Sequence, residues 1–415
     1  MEGELPVLEL LAALVIIIAA AKASGVVAVR LGQPAVLGEL AAGVILGPSV
    51  IDLFAIEYFD VEHLEPTVLL LAQLGVIFLM FLAGLETDLA EVAKVRRVAI
   101  LAGTLGVVFP LATGTFASLP FGFSAKEAIF VGIILSATSV SISARTLMEL
   151  GVLQGRQGVS ILAAAVIDDV LVILVLSFFV AFAVDDGGGG GGAGEVFLIV
   201  GRVALFFVVA YLIGRFALPA IARWSGTAPI SEGVLVVALV IALSYAWFAE
   251  EVGEVALITG AFMAGVLLRP TEVHRIVDEK VRAVGYGFFV PIFFIGVGLS
   301  ANARNFEASD IGLLAVISVV AVVSKLAGSG LGAYLGGEGL RGSTQIGTGM
   351  ISRGEVGLIV ASVGLGAGLV DESLFSVTVL MVLITTLVTP IMLRVVFAGT
   401  GEPEQAEEEK EGQHA

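Results

Sequence analysis

Two adjacent aspartates, Asp168 and Asp169, sit inside the apolar run ILAAAVIDDVLVILVLSFFVAFAV, residues 161–184. Apart from the acids, its only polar residue is Ser177. A carboxylate at the centre of a bilayer helix costs about 2.5–3.5 kcal/mol on insertion scales. Two side by side also repel each other. Such a pair is retained where it faces a wet cavity and binds something positive, a cation or protons. The plainer alternative is an acid pair locked to basic partners. One candidate partner is Lys325, central in a second apolar run, VVSKLAGSGLGAY. A lysine at that depth needs a counter-charge unless it snorkels to the interface.

Two further segments put polar residues at membrane depth. Residues 136–143 read SATSVSIS, and residues 347–357 read GTGMISRGEVG. Both are rich in residues that tolerate unwinding. Unwound backbone is allowed in a membrane where it lines a cavity, and the half-helix ends there carry partial charges. Arg353 and Glu355 have two readings. They neutralise those dipole ends, or they form an ion pair that ties helices together; the two are compatible.

The elements that position these residues must be membrane helices. Of 415 residues, 58% are apolar, which is well above a soluble domain. Spans of about 20 residues are predicted near 6–29, 34–48, 66–85, 96–117, 127–145, 157–183, 196–217, 230–248, 254–269, 285–300, 310–335, 343–369 and 373–397. The second and ninth are short, and Gly and Pro interrupt several. The first run, Leu5 to Val29, lacks the basic start and cleavage site of a signal peptide. There is no cysteine, hence no disulfide. The net charge of −17 argues against nucleic-acid binding. Part of that charge lies in the tail, residues 401–415, expected to be an acidic cytoplasmic extension.

Basic residues set the orientation. With the N-terminus outside, the inner side collects most Lys and Arg, from Arg30, Lys94, Arg96 and Arg97 to Arg341 and Arg394. The outer loops 51–67 and 185–195 hold neither. The N-terminus is therefore predicted outside and the C-terminus inside. The glycine run Gly187–Gly192 reads as a flexible outer linker. Glu86, Asp88 and Glu39 stand at predicted span ends and read as solvated acids. Residues 271–282, TEVHRIVDEKVR, read as an inner surface helix.

An internal repeat is visible. Residues 38–48 read GELAAGVILGP and residues 260–270 read GAFMAGVLLRP. The copies lie in the second and ninth spans. An odd offset in span order makes them run in opposite directions, the inverted repeat of many secondary transporters.

These motifs together resemble the monovalent cation:proton antiporters, second branch, which holds sodium/proton antiporters and Kef-type potassium/proton antiporters. The resemblance spans nearly the whole chain. It is carried by PAVLGELAAGVILGP at 34–48, FLAGLETDL at 81–89, ATSVSISARTLMELG at 137–151, VIDDVL at 166–171, GAFMAGVLL at 260–268, PIFFIGVGL at 291–299 and SRGEVGLIVAS at 352–362. It implies an all-α polytopic membrane protein of about 13 helices, with an inverted-topology repeat and two crossed broken helices beside the aspartates. The membrane domain would cover 1–400, with repeat one about 6–183, a linker helix about 196–217 and repeat two about 230–397. The resemblance further implies a homodimer in the plasma membrane, with a fixed helical panel and a mobile core. Asp169 matches the essential acid that binds Na⁺ or K⁺ and exchanges protons. Asp168 matches the acid paired with the core lysine, here Lys325. Thr138, with Ser139 and the unwound backbone nearby, would complete the site. An Asp–Asp pair with this lysine resembles the electrogenic sodium/proton type. Kef-type proteins also carry a large cytosolic nucleotide-binding domain, whereas this chain ends after a short polar tail. No cofactor is implied.

Other classes fit less well. A channel would show a filter or pore-lining ring. An intramembrane aspartyl protease needs acids facing each other from separate helices, whereas neighbours on one helix point about 100° apart.

Overall fold

The computed structural model of the chain describes residues 7–61, 63–179, 193–227, 231–300, 306, 308–366 and 368–398. The described residues form helices α1 (Val7–Arg30), α2 (Ala35–Leu46), α3 (Leu64–Glu86), α4 (Leu89–Ser118), α5 (Ala125–Ser136), α6 (Val140–Glu149), α7 (Arg156–Phe179), α8 (Ala193–Phe216) and α9 (Leu218–Thr227). They continue as α10 (Gly233–Glu251), α11 (Leu257–Leu268), α12 (His274–Val284), α13 (Val290–Leu299), α14 (Ile311–Leu335), α15 (Leu340–Gly349), α16 (Glu355–Gly366) and α17 (Glu372–Val396). The glycine run at 187–192 and the acidic tail lie outside the described residues.

Ten helical runs among these residues are long and apolar enough to cross a bilayer, where the sequence predicts thirteen spans. The second and ninth predicted spans fold as the shorter helices α2 and α11, and the twelfth contributes the short apolar stretch Val356–Leu365. Punctuation limits α2: Pro34 stands at its N-cap and Gly47 at its C-cap.

The helices sort into two bundles by their packing. In one, here the panel, α2 packs on α1 and α13, α13 on α3, α3 on α11, and α11 on α10. In the other, the core, α4 packs on α14, α7 and α5, and α14 packs on α15 and α17. Helix α6 leans on α7 and α17 but also reaches α2 and α3 of the panel. A separate apolar cluster holds the core together, with Phe130, Ile133 and Ile134 of α5 against Ile317 of α14 and Val377 and Met381 of α17.

The repeat is visible in the packing of its glycines. A Cβ at Gly38 would lie 2.2 Å from the Ser24 carbonyl oxygen of α1, and one at Gly260 would lie 2.2 Å from the Tyr245 carbonyl oxygen of α10. The second glycines behave likewise. Gly43 meets the Ile295 carbonyl of α13 at 2.4 Å, and Gly265 meets the Phe81 carbonyl of α3 at 2.1 Å. Only glycine lets the backbones approach this closely. Helices α2 and α11 therefore perform the same packing job in the two halves.

The structure refines four sequence expectations. The segment 271–282 folds as helix α12, with Arg275, Ile276 and Glu279 exposed, and joins α11 to α13 as expected, but it does not end before α13. Helix α12 runs through a π turn, Gly285–Phe289, straight into α13. Pro291 has no N–H for the carbonyl four residues earlier, and the widened turn falls there. Glu86 is not a solvated helix end, because its Oε1 accepts from Arg282 Nη2 at 2.7 Å. Asp88 is the N-cap of α4 and accepts from the Ala90 N–H at 2.7 Å. Glu39 lies more than one turn into α2 and is only 2% exposed, with Lys22 Nζ 3.9 Å away.

Candidate functional site

Both polar segments are helix breaks. Helix α5 stops at Ser136, and Ala137 and Ser139 take extended conformations before α6 begins. Helix α15 stops at Gly349, and α16 starts at Glu355. The breaks touch: the Ser139 N–H donates to the Ser352 carbonyl at 2.8 Å, and the Ser143 hydroxyl donates to the Gly349 carbonyl at 2.6 Å. Gly354 lies against Ser139, where a Cβ would come within 2.6 Å of its side chain. Ser139 Oγ also lies 2.9 Å from Ser141 Oγ. Two helix ends at membrane depth leave carbonyls without helical donors, and each must be satisfied.

Basic side chains take several of them. Arg353 is fully buried, and one guanidinium nitrogen donates to the Leu135 carbonyl at the end of α5, at 2.6 Å. Another donates to the Ile351 carbonyl. Arg353 therefore neutralises the C-terminal dipole of α5, the first of its two readings. The side chain of Glu355 lies outside the described residues, so its part in the second reading has no structural account. The broken backbone is also tied to α17, whose Thr386 hydroxyl donates to the Arg353 carbonyl at 2.6 Å. The Arg353 N–H donates to Thr385 Oγ1 at 3.3 Å.

Lys325 is fully buried and does not snorkel. Its three ammonium donors are used by three different helices: Asp168 Oδ1 at 2.5 Å on α7, the Ser136 carbonyl at 2.9 Å on α5 and the Gly106 carbonyl at 2.7 Å on α4. The free carbonyl on α4 has a sequence cause. Pro110, four residues on and inside the helix, carries no N–H to give it.

Asp168 is thus half-satisfied: among the described residues its Oδ2 has no hydrogen-bond partner. The same holds for the buried hydroxyls of Thr138 and Ser352. Thr138 stands two residues beyond Ser136, the carbonyl that shares Lys325 with Asp168. Asp169, also buried, accepts from the Thr259 hydroxyl of α11 at 3.1 Å. The structure therefore brings Asp168, Lys325, Arg353, Thr138 and Ser139 to one crossing of broken helices. It adds Thr259, Thr385, Thr386 and the Pro110–Gly106 pair, which sequence reasoning did not single out. For Thr385 and Thr386 a signal existed: residues 383–388 read LITTLV where the first repeat reads VIDDVL at 166–171.

Such a site offers a cation buried carboxylates and hydroxyl oxygens, with a fixed positive charge that offsets one of the acids. A monovalent cation and protons would compete for the same carboxylate.

Comparisons with known proteins agree on the class. Residues 12–399 match the family model described as sodium/hydrogen exchanger, transmembrane. The Na⁺/H⁺-K⁺ antiporter GerN of Bacillus cereus is 36% identical over 384 residues, covering 92% of this chain and 95% of that protein. A Na⁺/H⁺ antiporter of Enterococcus hirae is 33% identical over 389 residues, covering 93% of this chain and 98% of its own length. The solved structure of the sodium proton antiporter MjNhaP1 from Methanocaldococcus jannaschii superposes with a TM-score of 0.67 at 15% identity, covering 95% of this chain and 98% of that one, which shows a common fold. A family match along almost the full length, with the breaks and buried charges in place, means that the chain belongs to the sodium/hydrogen exchanger family.

Proposed function

We propose that the chain exchanges Na⁺ for protons across the membrane by alternating access, with Asp169 as the carboxylate that binds each in turn. The observation that carries this reading is the Asp168–Lys325 pair beside Asp169 at the crossing of two broken helices. Sodium prefers several oxygen ligands, and a carboxylate supplies both oxygen and charge. Thr138, Ser139 and Asp168 Oδ2 are the nearby oxygens assigned to complete the shell. A bare charged Asp169 is costly to carry through a low-dielectric barrier. Either occupant lowers that cost, and exchange is thereby coupled. Lys325 pairs with Asp168 and keeps the α5 end in position.

The core is assigned the moving role and the panel the fixed one. Repeat one is taken as about 6–183, the linker helix as about 196–217 and repeat two as about 230–397. The N-terminus is placed outside and the acidic tail inside, on the strength of the basic residues from Arg30 to Arg394. The plasma membrane is the assigned location. A homodimer is assigned from family membership and from the apolar faces of α8 and α10, where Phe197, Leu205, Val240 and Trp247 are exposed.

The test is a titration of Na⁺, Li⁺ and K⁺ against an imposed pH gradient in everted vesicles. Na⁺ is expected to dissipate the gradient, with KM rising as pH falls and the maximal rate unchanged. No response to any cation would end this reading. The name of GerN includes K⁺, so K⁺/H⁺ exchange is the second reading, and a response to K⁺ alone would select it.

A further inference from the structure

Thr259 is the only polar side chain in α11, whose sequence is LITGAFMAGVLL. It is buried, and its hydroxyl donates to Asp169 Oδ2. Other buried threonines here bond the carbonyl one turn back in their own helix: Thr87 to Ala83, Thr378 to Leu374 and Thr389 to Thr385. Thr259 is the third residue of α11, so the carbonyl four residues back precedes the helix. Its hydroxyl reaches across to another helix instead.

That bond joins the two bundles. Helix α11 packs chiefly on α3 and α10 of the panel, while α7 packs on α4 of the core. The repeat supplies an internal control. Gly38 and Gly260 coincide in the two copies, so the residue matching Thr259 is Leu37. Both helices make the same close approach through the adjoining glycine, Gly38 on α1 and Gly260 on α10. Packing at this position therefore needs no oxygen, and the hydroxyl has some other use.

We propose that Thr259 is a cation ligand supplied by the panel to Asp169 in one conformation only. The inference rests on the assignment of Asp169 as the exchanging carboxylate. Without the cation, the hydroxyl donates to Oδ2. When a monovalent cation takes Oδ2, the hydroxyl proton turns to a backbone carbonyl at the start of α11 and the oxygen lone pair faces the cation. When the core moves relative to the panel, Asp169 leaves Thr259. Leu37 offers no replacement in the other repeat. The site thus holds one more neutral oxygen ligand when it faces one side of the membrane than when it faces the other.

The test compares Thr259→Val, which keeps the shape and removes the oxygen, with Thr259→Ser, which keeps the oxygen. Sodium-driven proton movement is measured in everted and in right-side-out vesicles. Losing a hydroxyl that serves a charged site corresponds to about a tenfold change in affinity. Thr259→Val is therefore expected to raise the Na⁺ KM about tenfold at one face, with less than a twofold change at the other and a maximal rate near that of the parent. Thr259→Ser is expected to behave like the parent at both faces. A parental KM at both faces in Thr259→Val, an equal rise at both, or a Ser variant that fails like Val would each overturn the proposal. If Thr259→Val does not accumulate, Thr259→Ala is read against the same outcomes. Asp169→Asn is run alongside. Exchange surviving in Asp169→Asn removes the underlying assignment. Exchange lost there but unaltered in Thr259→Val removes only the role of Thr259.

Discussion

The core and the panel handle charge at membrane depth differently. In the core, Lys325 is fully buried and bound by groups from α4, α5 and α7, and Arg353 is fully buried with carbonyls of α5 and of its own break. In the panel, Glu39 faces Lys22 at 3.9 Å, and the lysine side chain is 48% exposed. Both bundles are held by backbone contact through glycines, as at Gly43 and Gly265 of the panel and Gly332 and Gly132 of the core. On the proposed assignment the core moves, and a moving element that carries charge must satisfy that charge internally, because no solvent follows it. A fixed element can leave its charges near the surface and rely on packing. The effects of substitution should follow the same division.

The largest effect is expected at Lys325. Lys325→Ala leaves Asp168 and two carbonyls buried without their donor, and breaking a buried pair costs about 3–5 kcal/mol. The melting temperature should fall by many degrees. Asp168→Asn should also destabilise, and the double variant should lose less than the sum of the singles by 1 kcal/mol or more, on the order expected for contacting charges. Strictly additive losses would break the contrast, since they would make the pair no tighter than a surface one.

A panel substitution comes next. Gly265→Ala pushes a methyl into the Phe81 carbonyl, and overpacking of this kind costs about 1–3 kcal/mol. Its signature is lost stability with an unchanged Na⁺ KM in the protein that survives. An altered KM with unchanged melting would mean that this contact tunes the site rather than the panel.

Smaller again is Thr386→Val, which removes the hydroxyl that holds the Arg353 carbonyl. About 1 kcal/mol is expected, the net value of one hydrogen bond, seen as a modest fall in melting temperature. Glu39→Gln keeps the shape of a buried side chain whose lysine partner is half-exposed at 3.9 Å, and it should change stability least. A loss at Glu39 as large as that at Lys325 would erase the distinction between the bundles.

Much of the core site was legible in the sequence because charge is rare in apolar runs. Asp168, Asp169, Lys325 and Arg353 stand out for that reason: the acids read as a cation or proton site with Lys325 as partner, and Arg353 as a charge for the broken helix ends or for Glu355. The breaks were legible in SATSVSIS and GTGMISRGEVG, since small and hydroxyl residues accept unwinding. Thr259 was not legible: a single threonine in a helix normally satisfies itself locally, and only its position at the start of α11 sends it elsewhere. That Lys325 meets the carbonyl which Pro110 leaves free at Gly106 needs the register between α4 and α14, which sequence periodicity does not carry. Glu39 is not legible in this way, because a residue near a span end is solvated or buried according to the face it occupies, and α2 turns that face towards α1. The shortness of α2 and α11 was legible, because Pro34 and Gly47 bound the first run and Pro270 follows the second.

The central claim is that Asp169 binds the cation in place of protons. Its most direct test is proton release from purified, detergent-solubilised protein on addition of Na⁺, followed with a pH indicator in weak buffer. The parent protein should release protons in a saturable manner. Asp169→Asn, with its melting transition intact, should release none. Saturable release from Asp169→Asn equal to that of the parent would contradict the account.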